Sequence, residues 1–442
     1  MPDRQLHLIF DNPTEVFFPG YPITGKVIFS TEEVYKARAV NIKFNGIAYN
    51  RWTEYETHRR VDAEGRTHMD RRSIHYSATV KYLEHEVLLW ACRDGSNQLS
   101  AGEYCWPFTY TLPNTIPPSF EGEHGYIRYT VTAEIDRPWR FDKAKKRCIT
   151  VSPLLDLNLI SHSLSPLHDQ GAENIGACCF KKGYVELKVD IPKTGFVAGE
   201  TIPINAHILN HGTIPVVKIS AMILQRTTFV ACRNGEIFDF HSVNPITFSS
   251  RETKITTKEV TRISQPLSIE AGKEQQLNME IRIPSVVSTI NQYCPIISVE
   301  YYIDVEIDTT STFNSSLRCS SPFIIGTVPI NKYLPPSVYP NNPSLPTPQP
   351  TDLPPQFGPP AYGFIGGGAT PYPSEFSAPP PYSGPADGEI VVPSAPPMSF
   401  EDSTFGTDGT TVETEENEKP FAPKYPVYNT LPIYNPTAPA LE

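Results

Sequence analysis

The feature that most constrains the fold is the alternation of apolar and polar residues through the first 330 positions. Residues 40–45 read Val-Asn-Ile-Lys-Phe-Asn, and the same two-residue period runs through 128–135, 185–191 and 299–307. Successive side chains of a strand point to opposite faces, so this pattern is typical of antiparallel sheets with one buried face and one solvated face. No long amphipathic helical pattern interrupts it. We therefore predict an all-β fold built from β-sandwiches.

This region also repeats itself weakly, with the order of the four matching segments kept. The offset between matching segments stays between 171 and 179 residues. The pairs are Phe17–Ile23 with Phe196–Ile202, Val40–Phe44 with Val217–Ala221, Leu112-Pro113 with Ile283-Pro284, and Ile127–Ile135 with Val299–Ile307. We therefore expect two tandem copies of one immunoglobulin-like antiparallel sandwich that differ mainly in loop length.

The last 112 residues have a different composition. They hold 26 of the 46 prolines, and 3 Lys or Arg against 12 Asp or Glu. Regular alternation ends at Tyr333, where Pro, Ser, Gly and Thr replace the aliphatic residues. Because such a segment cannot bury enough apolar surface to fold, we predict a disordered, acidic, Pro-rich tail. The rest of the chain is nearly neutral, which disfavours general nucleic-acid binding.

The domain prediction follows from these boundaries. Residues 1–155 form the first sandwich, 156–180 a linker, 181–330 the second sandwich and 331–442 the tail. No apolar run is long enough for a signal peptide or a membrane span, and the eight cysteines form no C-x-x-C pair. We therefore expect a cytoplasmic protein with reduced thiols.

Two Pro-Pro-x-Tyr motifs, 20 residues apart, are the main functional signal of the tail. Consecutive prolines favour an extended polyproline II ribbon, which loses little entropy when an aromatic-lined groove such as that of a WW domain binds it. Tandem WW domains could engage both copies. The alternative is a solvating Pro-rich spacer. The predicted WW-binding residues are Pro359, Pro360 and Tyr362 in one copy, and Pro379, Pro380 and Tyr382 in the other.

A second pair of tail motifs fits the pattern Pro-Ser/Thr-Ala-Pro, which looks like the late-domain motif read by ESCRT-I. Small Ala in the third place can enter a narrow pocket, while the last Pro keeps the backbone extended. The alternative is chance, because Ala and Pro are common in this tail. The candidate ESCRT-binding residues are Pro393, Ser394, Ala395 and Pro396, then Pro436, Thr437, Ala438 and Pro439.

A basic cluster in the first sandwich is a weaker candidate. Lys143, Lys145, Lys146 and Arg147 could attract anionic lipid head groups or phosphorylated cargo tails. The alternative, which we favour, is a solvated turn between two strands.

Catalysis has little support in the sequence. His58, His68, His75 and His85 are not at metal-ligand spacings, and no G-x-S-x-G nucleophile context occurs. We expect no enzyme activity, no metal and no cofactor.

The residues that alternate and repeat also resemble a known family. The order of short motifs in both copies, followed by a Pro-Pro-x-Tyr tail, is similar to the arrestin domain-containing proteins, or α-arrestins. The motifs of the first copy are Pro19-Gly20, Gly46–Ala48, Trp52, Leu112-Pro113, Gly125–Tyr129 and Pro138-Trp139. Those of the second are Cys178-Cys179, Gly199-Glu200, Asn210, Pro284 and Cys294–Ile297.

This resemblance implies two concave sandwiches that act as an adaptor. It would link membrane receptors or transporters to WW-domain HECT-type ubiquitin ligases, be recruited to the plasma membrane and endosomes, and promote ubiquitination, endocytosis and endosomal sorting. The alternatives are a retromer-like endosomal sorting subunit and a WW/SH3 scaffold without cargo. The C-terminal arginine that holds visual and β-arrestins in their basal state has no counterpart, since the last arginine is Arg318. We therefore expect the tail to act as a standing tether.

Overall fold

The computed structural model describes residues 5–61, 67–174, 183–233, 235–239, 251–310, 316–330, 411–412 and 421–428. They form two antiparallel β-sandwiches in tandem, as the alternation predicts. Among these residues, no helix has the length and apolar character needed to cross a membrane.

The first sandwich contains strands β1 to β11. One sheet has the order β1-β3-β8, and the facing sheet runs β6-β5-β10-β11-β2. The ring of Phe44 on β5 stacks at 4.4 Å on Tyr110 of β8, which joins the two sheets across the core. The strands are Gln5–Phe10, Val16–Phe17, Pro22–Thr31, Tyr35–Lys36, Ala39–Val61, Thr67–Ala91, Gln98–Leu99, Gly102–Thr111, Phe120–Glu121, Gly125–Asp136 and Lys143–Val151.

The second sandwich follows a 3-10 turn at Leu157–Leu159 and contains β12 to β21, except that β17 pairs with β6 of the first sandwich. Its sheets have the orders β12-β13-β15-β19 and β14-β21-β20-β16, with β18 beside β16. Between the two sheets, at the edge formed by β12, Ser321 of β21 donates to Asp169 at 3.2 Å. The strands are Leu167–Asn174, Tyr184–Ile191, Gly195–Val197, Thr201–Asn210, Val216–Arg233, Glu236–Asp239, Glu252–Ile269, Glu274–Arg282, Ile297–Thr309 and Ser316–Gly326.

The predicted alternation matches the burial of the strands. Val40, Ile42 and Phe44 are at most 1% exposed, while the residues between them are partly exposed. In β13 the apolar residues from Val185 to Ile191 are likewise buried in alternation. The buried faces of both sandwiches hold the core, which confirms the all-β prediction.

The predicted duplication is visible at its glycines. Gly20 and Gly199 both lie at positive φ, 81° and 91°, a conformation that favours glycine. The N–H of Gly20 donates to the Leu112 carbonyl at 3.0 Å, and that of Gly199 donates to Ile283 at 2.8 Å. Each bond joins two segments within one sandwich, and the sequence repeat matches these two segments to the two that are joined in the other sandwich.

A matching pair of tyrosines supports the same conclusion. The buried Tyr129 hydroxyl donates to the Pro117 carbonyl at 2.7 Å, and the buried Tyr301 hydroxyl donates to Val287 at 2.7 Å. The Tyr301 hydroxyl oxygen also lies 3.3 Å from the side-chain oxygen of Gln225. Each hydroxyl satisfies a buried carbonyl at the corresponding position of its sandwich.

The interval predicted as a linker, 156–180, is not all linker. Leu167–Asn174 is β12, an edge strand that pairs with β13 along its whole length. After Leu167 its sequence reads His-Asp-Gln-Gly-Ala-Glu-Asn, so the strand lacks the apolar alternation that reveals the others. An edge strand needs only one paired side, and polar residues suit its exposed position.

The two sandwiches share a hydrogen-bonded seam. Strand β16 pairs with β6 at Cys232 and Ser77, so one sheet continues from the first sandwich into the second. The fully buried Asn50 of β5 donates across this seam to the carbonyls of Val230 at 2.9 Å and Ile296 at 2.7 Å. The seam is therefore specified by polar contacts as well as by packing.

Candidate functional site

The four basic residues of the predicted cluster lie on strand β11, so the expectation of a turn is wrong. Strand β11 pairs with β10, and Lys143, Lys145 and Arg147 lie opposite the core residues Ile135, Ala133 and Val131. Directly opposed residues of an antiparallel pair share a face. Lys143, Lys145 and Arg147 therefore lie together on the inner face at the sheet edge, and Lys146 lies on the outer face.

Arg147 is held by the body of the first sandwich. Its guanidinium donates to the Leu8 carbonyl at 3.0 Å, pairs with the Glu15 carboxylate and lies 5.3 Å from the ring of Phe10. Glu15 is at a positive φ of 59°, which is uncommon for a residue with a side chain. These contacts close the open end between β1 and β11, so Arg147 has a structural role.

Lys146 is on the opposite face, beside a buried ion pair. Arg128 donates twice to Glu121, at 2.5 and 2.7 Å, and both side chains are 5% exposed. Burial lowers the pKa of Lys146, and the nearby Arg128 guanidinium lowers this pKa further. The structure thus brings three of the four cluster residues together and separates Lys146 from them.

Two pieces of the tail lie against the body, which differs from the expectation of a wholly disordered tail. Thr411–Val412 forms a short strand, β22, that pairs in parallel with Lys143 and Ala144 of β11. Farther along, residues 421–428 reach the other end of the same strand, where the Lys424 N–H donates to the Thr150 hydroxyl at 3.0 Å. We call residues 421–428 the docked segment.

The docked segment makes further contacts with the first sandwich. The Lys424 ammonium donates to the Thr14 carbonyl at 3.2 Å and lies 3.8 Å from the Glu15 carboxylate. The Tyr425 hydroxyl donates to the carbonyl of the buried Ser119 at 3.1 Å. Glu15 therefore faces two cations, Arg147 from the body and Lys424 from the tail.

The same segment also contacts the second sandwich. The Ser285 hydroxyl donates to the Tyr425 carbonyl at 3.0 Å, and the Tyr428 N–H donates to Ala198 at 3.0 Å. The Tyr428 hydroxyl donates to Thr327 at 2.8 Å. The docked segment therefore bridges the two sandwiches.

Both tyrosines of the docked segment are enclosed by the body. Tyr428 is 8% exposed and packs with Leu157, Val197 and Ile330. Burial raises the pKa of Tyr425, and the Glu121 carboxylate adds to this shift. The backbone also fits closely, because a Cβ on Gly199 would lie 2.1 Å from the Tyr428 carbonyl oxygen.

The predicted WW and ESCRT motifs lie outside the described residues. What the structure fixes is the position of the chain on either side of them. Residues 331–410, which contain both Pro-Pro-x-Tyr motifs and 393–396, run from Ile330 of the second sandwich to β22 on the first. The motif at 436–439 follows Tyr428 by eight residues.

The docked segment was not predicted from the sequence. A signal was present, because Phe421–Tyr428 reads Phe-Ala-Pro-Lys-Tyr-Pro-Val-Tyr, with four large apolar or aromatic residues in eight. The high proline and low aliphatic content of the tail as a whole outweighed this local signal. Within the described ranges, no group of three or more His, Cys, Asp or Glu side chains could hold a metal ion.

Comparison with known proteins identifies the two sandwiches. The family profile "Arrestin (or S-antigen), N-terminal domain" matches residues 6–158, and the corresponding C-terminal domain profile matches residues 181–330. Arrestin domain-containing protein 17 of Caenorhabditis elegans is 27% identical over 331 residues, which are 74% of this chain and 71% of that protein.

Two further relatives show the same extent of similarity. Arrestin domain-containing protein 4 of Mus musculus is 27% identical over 335 residues, covering 75% of this chain and 73% of the relative. Thioredoxin-interacting protein of Pongo abelii is 24% identical over 330 residues, covering 73% and 74%. With both arrestin domains present in order, the chain belongs to the arrestin family, among the arrestin domain-containing proteins.

Proposed function

We propose that this arrestin-type adaptor links membrane receptors or transporters to WW-domain HECT-type ubiquitin ligases. The two sandwiches bind the cytoplasmic part of the cargo, and Tyr362 and Tyr382 with their prolines bind the ligase. Proteins of the arrestin family are adaptors without enzymatic activity of their own. The transfer of ubiquitin would be accelerated because the ligase and its target are bound to the same molecule.

The observation that carries this proposal is the placement of the ligase motifs relative to the arrestin domains. Both motifs lie in the 80 residues between Ile330 and Thr411, whose ends lie on the second and the first sandwich. Tyr362 is 32 residues from Ile330 and Tyr382 is 29 residues from Thr411. At about 3.4 Å per residue, neither tyrosine can be more than roughly 110 Å along the chain from the body. A bound ligase would therefore stay near bound cargo.

The remaining tail motifs and the basic strand extend the proposal. Residues 393–396 and 436–439 would pass ubiquitinated cargo to ESCRT-I for endosomal sorting. Lys143 and Lys145 would add attraction for anionic lipids when the cargo brings the protein to the plasma membrane or endosomes. Arg147 contributes less, because its guanidinium already pairs with Glu15.

The proposal is tested by affinity purification of the full-length chain and a Tyr362→Ala/Tyr382→Ala variant, reading out ligases and membrane proteins. Each Tyr fills a pocket of the WW groove, so we expect loss of the ligases and retention of the cargo. Tyr372→Ala is the matched control, since Tyr372 lies between the two motifs and is not preceded by Pro-Pro-x.

Undiminished ligase recovery with the double variant would refute the proposed link. Ligase recovery without any membrane protein from the intact chain would favour a scaffold without cargo. Undiminished endosomal assembly of a chain without residues 331–442 would favour a sorting subunit.

A further inference from the structure

We propose that the loop between β10 and β11, residues 137–142, is a membrane-contact surface that inserts its aromatic side chains into the interface of an anionic lipid bilayer. We call these residues the tip loop. The surface is separate from the Pro-Pro-x-Tyr motifs and from the cargo. It rests on the proposed function only in that the protein works at a membrane, and it adds insertion to the electrostatic attraction assigned to Lys143 and Lys145.

The tip loop lies at the end of the first sandwich that is opposite the seam. Asp136, the last residue of β10, pairs with Ala39, the first residue of β5. The seam residue Asn50 lies 11 residues farther along β5 and pairs with Gly125 at the other end of β10. At about 3.3 Å per residue, the tip loop and the seam are roughly 35 Å apart. The tip loop is therefore remote from the second sandwich.

The tip loop exposes large apolar side chains. Trp139 is fully exposed and Phe141 is 65% exposed. Trp139 also lies at a positive φ of 63°, which is uncommon for a residue with a side chain. On the neighbouring turn between β3 and β4, Val34 is 57% exposed. Single exposed apolar residues are ordinary on a protein surface, but several at one end of a sandwich indicate a contact surface.

Neighbouring residues hold the tip loop in place. The backbone N–H of Arg137 donates to the Asp142 carboxylate at 2.7 Å, and the Arg137 guanidinium lies 4.8 Å from the ring centre of Tyr35. Just before the loop, the Arg38 guanidinium donates to the Asp136 carboxylate at 2.5 Å. These contacts fix both ends of the loop. A loop that is already ordered loses little conformational entropy when it binds.

The charges beside the exposed rings favour an anionic surface. Arg140 lies between Trp139 and Phe141 in the sequence and is exposed, and Lys143 follows the loop. The carboxylate of the loop, Asp142, already accepts the Arg137 N–H. Aromatic rings partition into the interface of a bilayer, while long basic side chains reach the phosphates of the head groups. The order of aromatic and basic residues therefore suits a bilayer of anionic lipids.

The neighbouring turn limits the surface to the tip loop. Glu32 and Glu33 precede Val34 and are exposed, so an anionic bilayer would repel this turn. The apolar part of the surface is then two aromatic rings, whereas a specific protein partner needs about 800 Å² on each side. Shallow insertion into a lipid interface requires no such area.

Sedimentation of the full-length chain with vesicles of phosphatidylcholine and phosphatidylserine measures the contact. A Trp139→Ala/Phe141→Ala variant should bind at least roughly 10-fold more weakly than the native chain, because both rings leave water when the loop inserts. Since both side chains are exposed, calorimetry should find the melting temperature unchanged. Equal binding by the variant and the native chain, or no binding by the native chain, would overturn the proposal.

Tyr293→Ala is the matched control. Like Trp139, Tyr293 is an exposed aromatic residue at positive φ, 64°, but it belongs to the second sandwich. Its replacement should leave vesicle binding unchanged, and a loss as large as that of the double variant would overturn the assignment to the tip loop. The double variant should still recover ligases in the affinity purification, so a failure of this proposal is distinguishable from a failure of the proposed ligase link.

Brominated lipids test whether Trp139 itself enters the bilayer. Of the four tryptophans, Trp52 is buried, and Trp90 and Trp106 are partly buried. Vesicles with bromine on the acyl chains should quench the fluorescence of the native chain. The Trp139→Phe variant, which keeps an aromatic ring, should retain most of the binding and lose most of the quenching. Unchanged quenching in this variant would mean that another tryptophan enters the bilayer, and would overturn the proposal.

Arg140→Ala tests the preference for anionic lipid. Binding to the mixed vesicles should fall roughly 3- to 10-fold, and the loss should shrink on pure phosphatidylcholine or at high salt. An equal loss on both kinds of vesicle would overturn the role assigned to charge. Sedimentation velocity without lipid covers the other occupant of such a surface, a second copy of the chain. Self-association that the Trp139→Ala/Phe141→Ala substitutions abolish would overturn the assignment to a membrane.

Discussion

Replacing Asn50 by Ala should weaken the seam between the two sandwiches. Asn50 is fully buried, and its amide donates to two carbonyls of the second sandwich, at 2.9 Å to Val230 and 2.7 Å to Ile296. These bonds join strand β5 to residues that are 180 and 246 positions away in sequence. Their loss should therefore lower the free energy of unfolding and also make the two sandwiches unfold more independently.

The magnitude follows from the two acceptors. A net hydrogen bond contributes about 0.5–1.5 kcal/mol, and a buried acceptor left without any donor costs about 1–3 kcal/mol. Ile296 keeps the N–H of Val230 as a donor at 2.8 Å, so the Ile296 carbonyl is not left unsatisfied. We therefore expect Asn50→Ala to lower the free energy of unfolding by about 2–3 kcal/mol. For a domain of this size that is a decrease in melting temperature of roughly 4–12 °C.

Differential scanning calorimetry of full-length variants measures this effect. Asn45→Ala is the control, because Asn45 lies on the same strand, is partly exposed and makes no side-chain hydrogen bond within the described part of the chain. Its effect should stay within about 0.5 kcal/mol. If Asn50→Ala costs no more than Asn45→Ala, or if both sandwiches still unfold in one unchanged transition, the reasoning about the seam is wrong.

Three further predictions concern single groups in the sandwiches. Tyr129→Phe and Tyr301→Phe should each lower the unfolding free energy by about 1–2 kcal/mol in denaturant titrations, because each hydroxyl satisfies one buried carbonyl; strongly unequal costs would count against their equivalence. Burial raises the pKa of the Cys319 thiol to about 12, so mass spectrometry at pH 8 should find Cys319 alkylated far more slowly than the exposed Cys105, and comparable rates would refute this. A thiol, a hydroxyl and an amide N–H donate to Asp94 and lower the pKa of its carboxyl to about 2. The stabilisation of the fold by this carboxylate is therefore present above the ordinary carboxyl pKa and is lost as the pH falls towards 2. An NMR titration of the carboxyl with its midpoint near pH 4 would contradict this.

The sandwiches themselves could be predicted because their information is local. The two-residue period at Val40–Phe44 and Val185–Ile191 indicates which face of each strand is buried. The sequence repeat indicates that the chain contains two such sandwiches. The Gly20 and Gly199 turns follow from the same repeat, since each needs a positive φ that glycine adopts without strain.

Strand β12 could not be predicted in the same way. Its residues are polar and its burial alternates only between partial and full exposure, so nothing in its composition separates it from a linker. What makes it a strand is the unpaired edge of β13, and that edge exists only after the second sandwich has formed.

The face on which each side chain of the basic cluster lies could be determined only from the register of the pair β10–β11. Residue types alone placed Lys143, Lys145 and Arg147 in one group with Lys146, but the pairing with Val131, Ala133 and Ile135 determines which face each side chain occupies. The contact between Arg147 and Glu15 spans 132 residues, a separation that no local pattern reveals.

The docked segment could not be recognised from a composition taken over the whole tail. A tail with 26 prolines reads as unable to fold, yet eight of its residues need no core of their own because the two sandwiches provide one. Lys424 also lies near the carboxylate of Glu15, although the chain has no arginine beyond Arg318. Composition describes what a segment can bury by itself, and here the burial is shared with the body.

The pairing of β22 with β11 affects how this protein can be shortened for experiments. The outer edge of β11 is paired at its end by Val16–Phe17 and at its start by Thr411–Val412. A version that stops at residue 410 would lose the second pairing and leave backbone N–H and C=O groups of a sheet edge open to other molecules. Charged side chains at Lys143 and Lys145 oppose such edge-to-edge association at low salt, but salt screens them. Purified arrestin domains without the tail should therefore self-associate as the ionic strength rises, and retaining the chain through Tyr428 should keep them monodisperse.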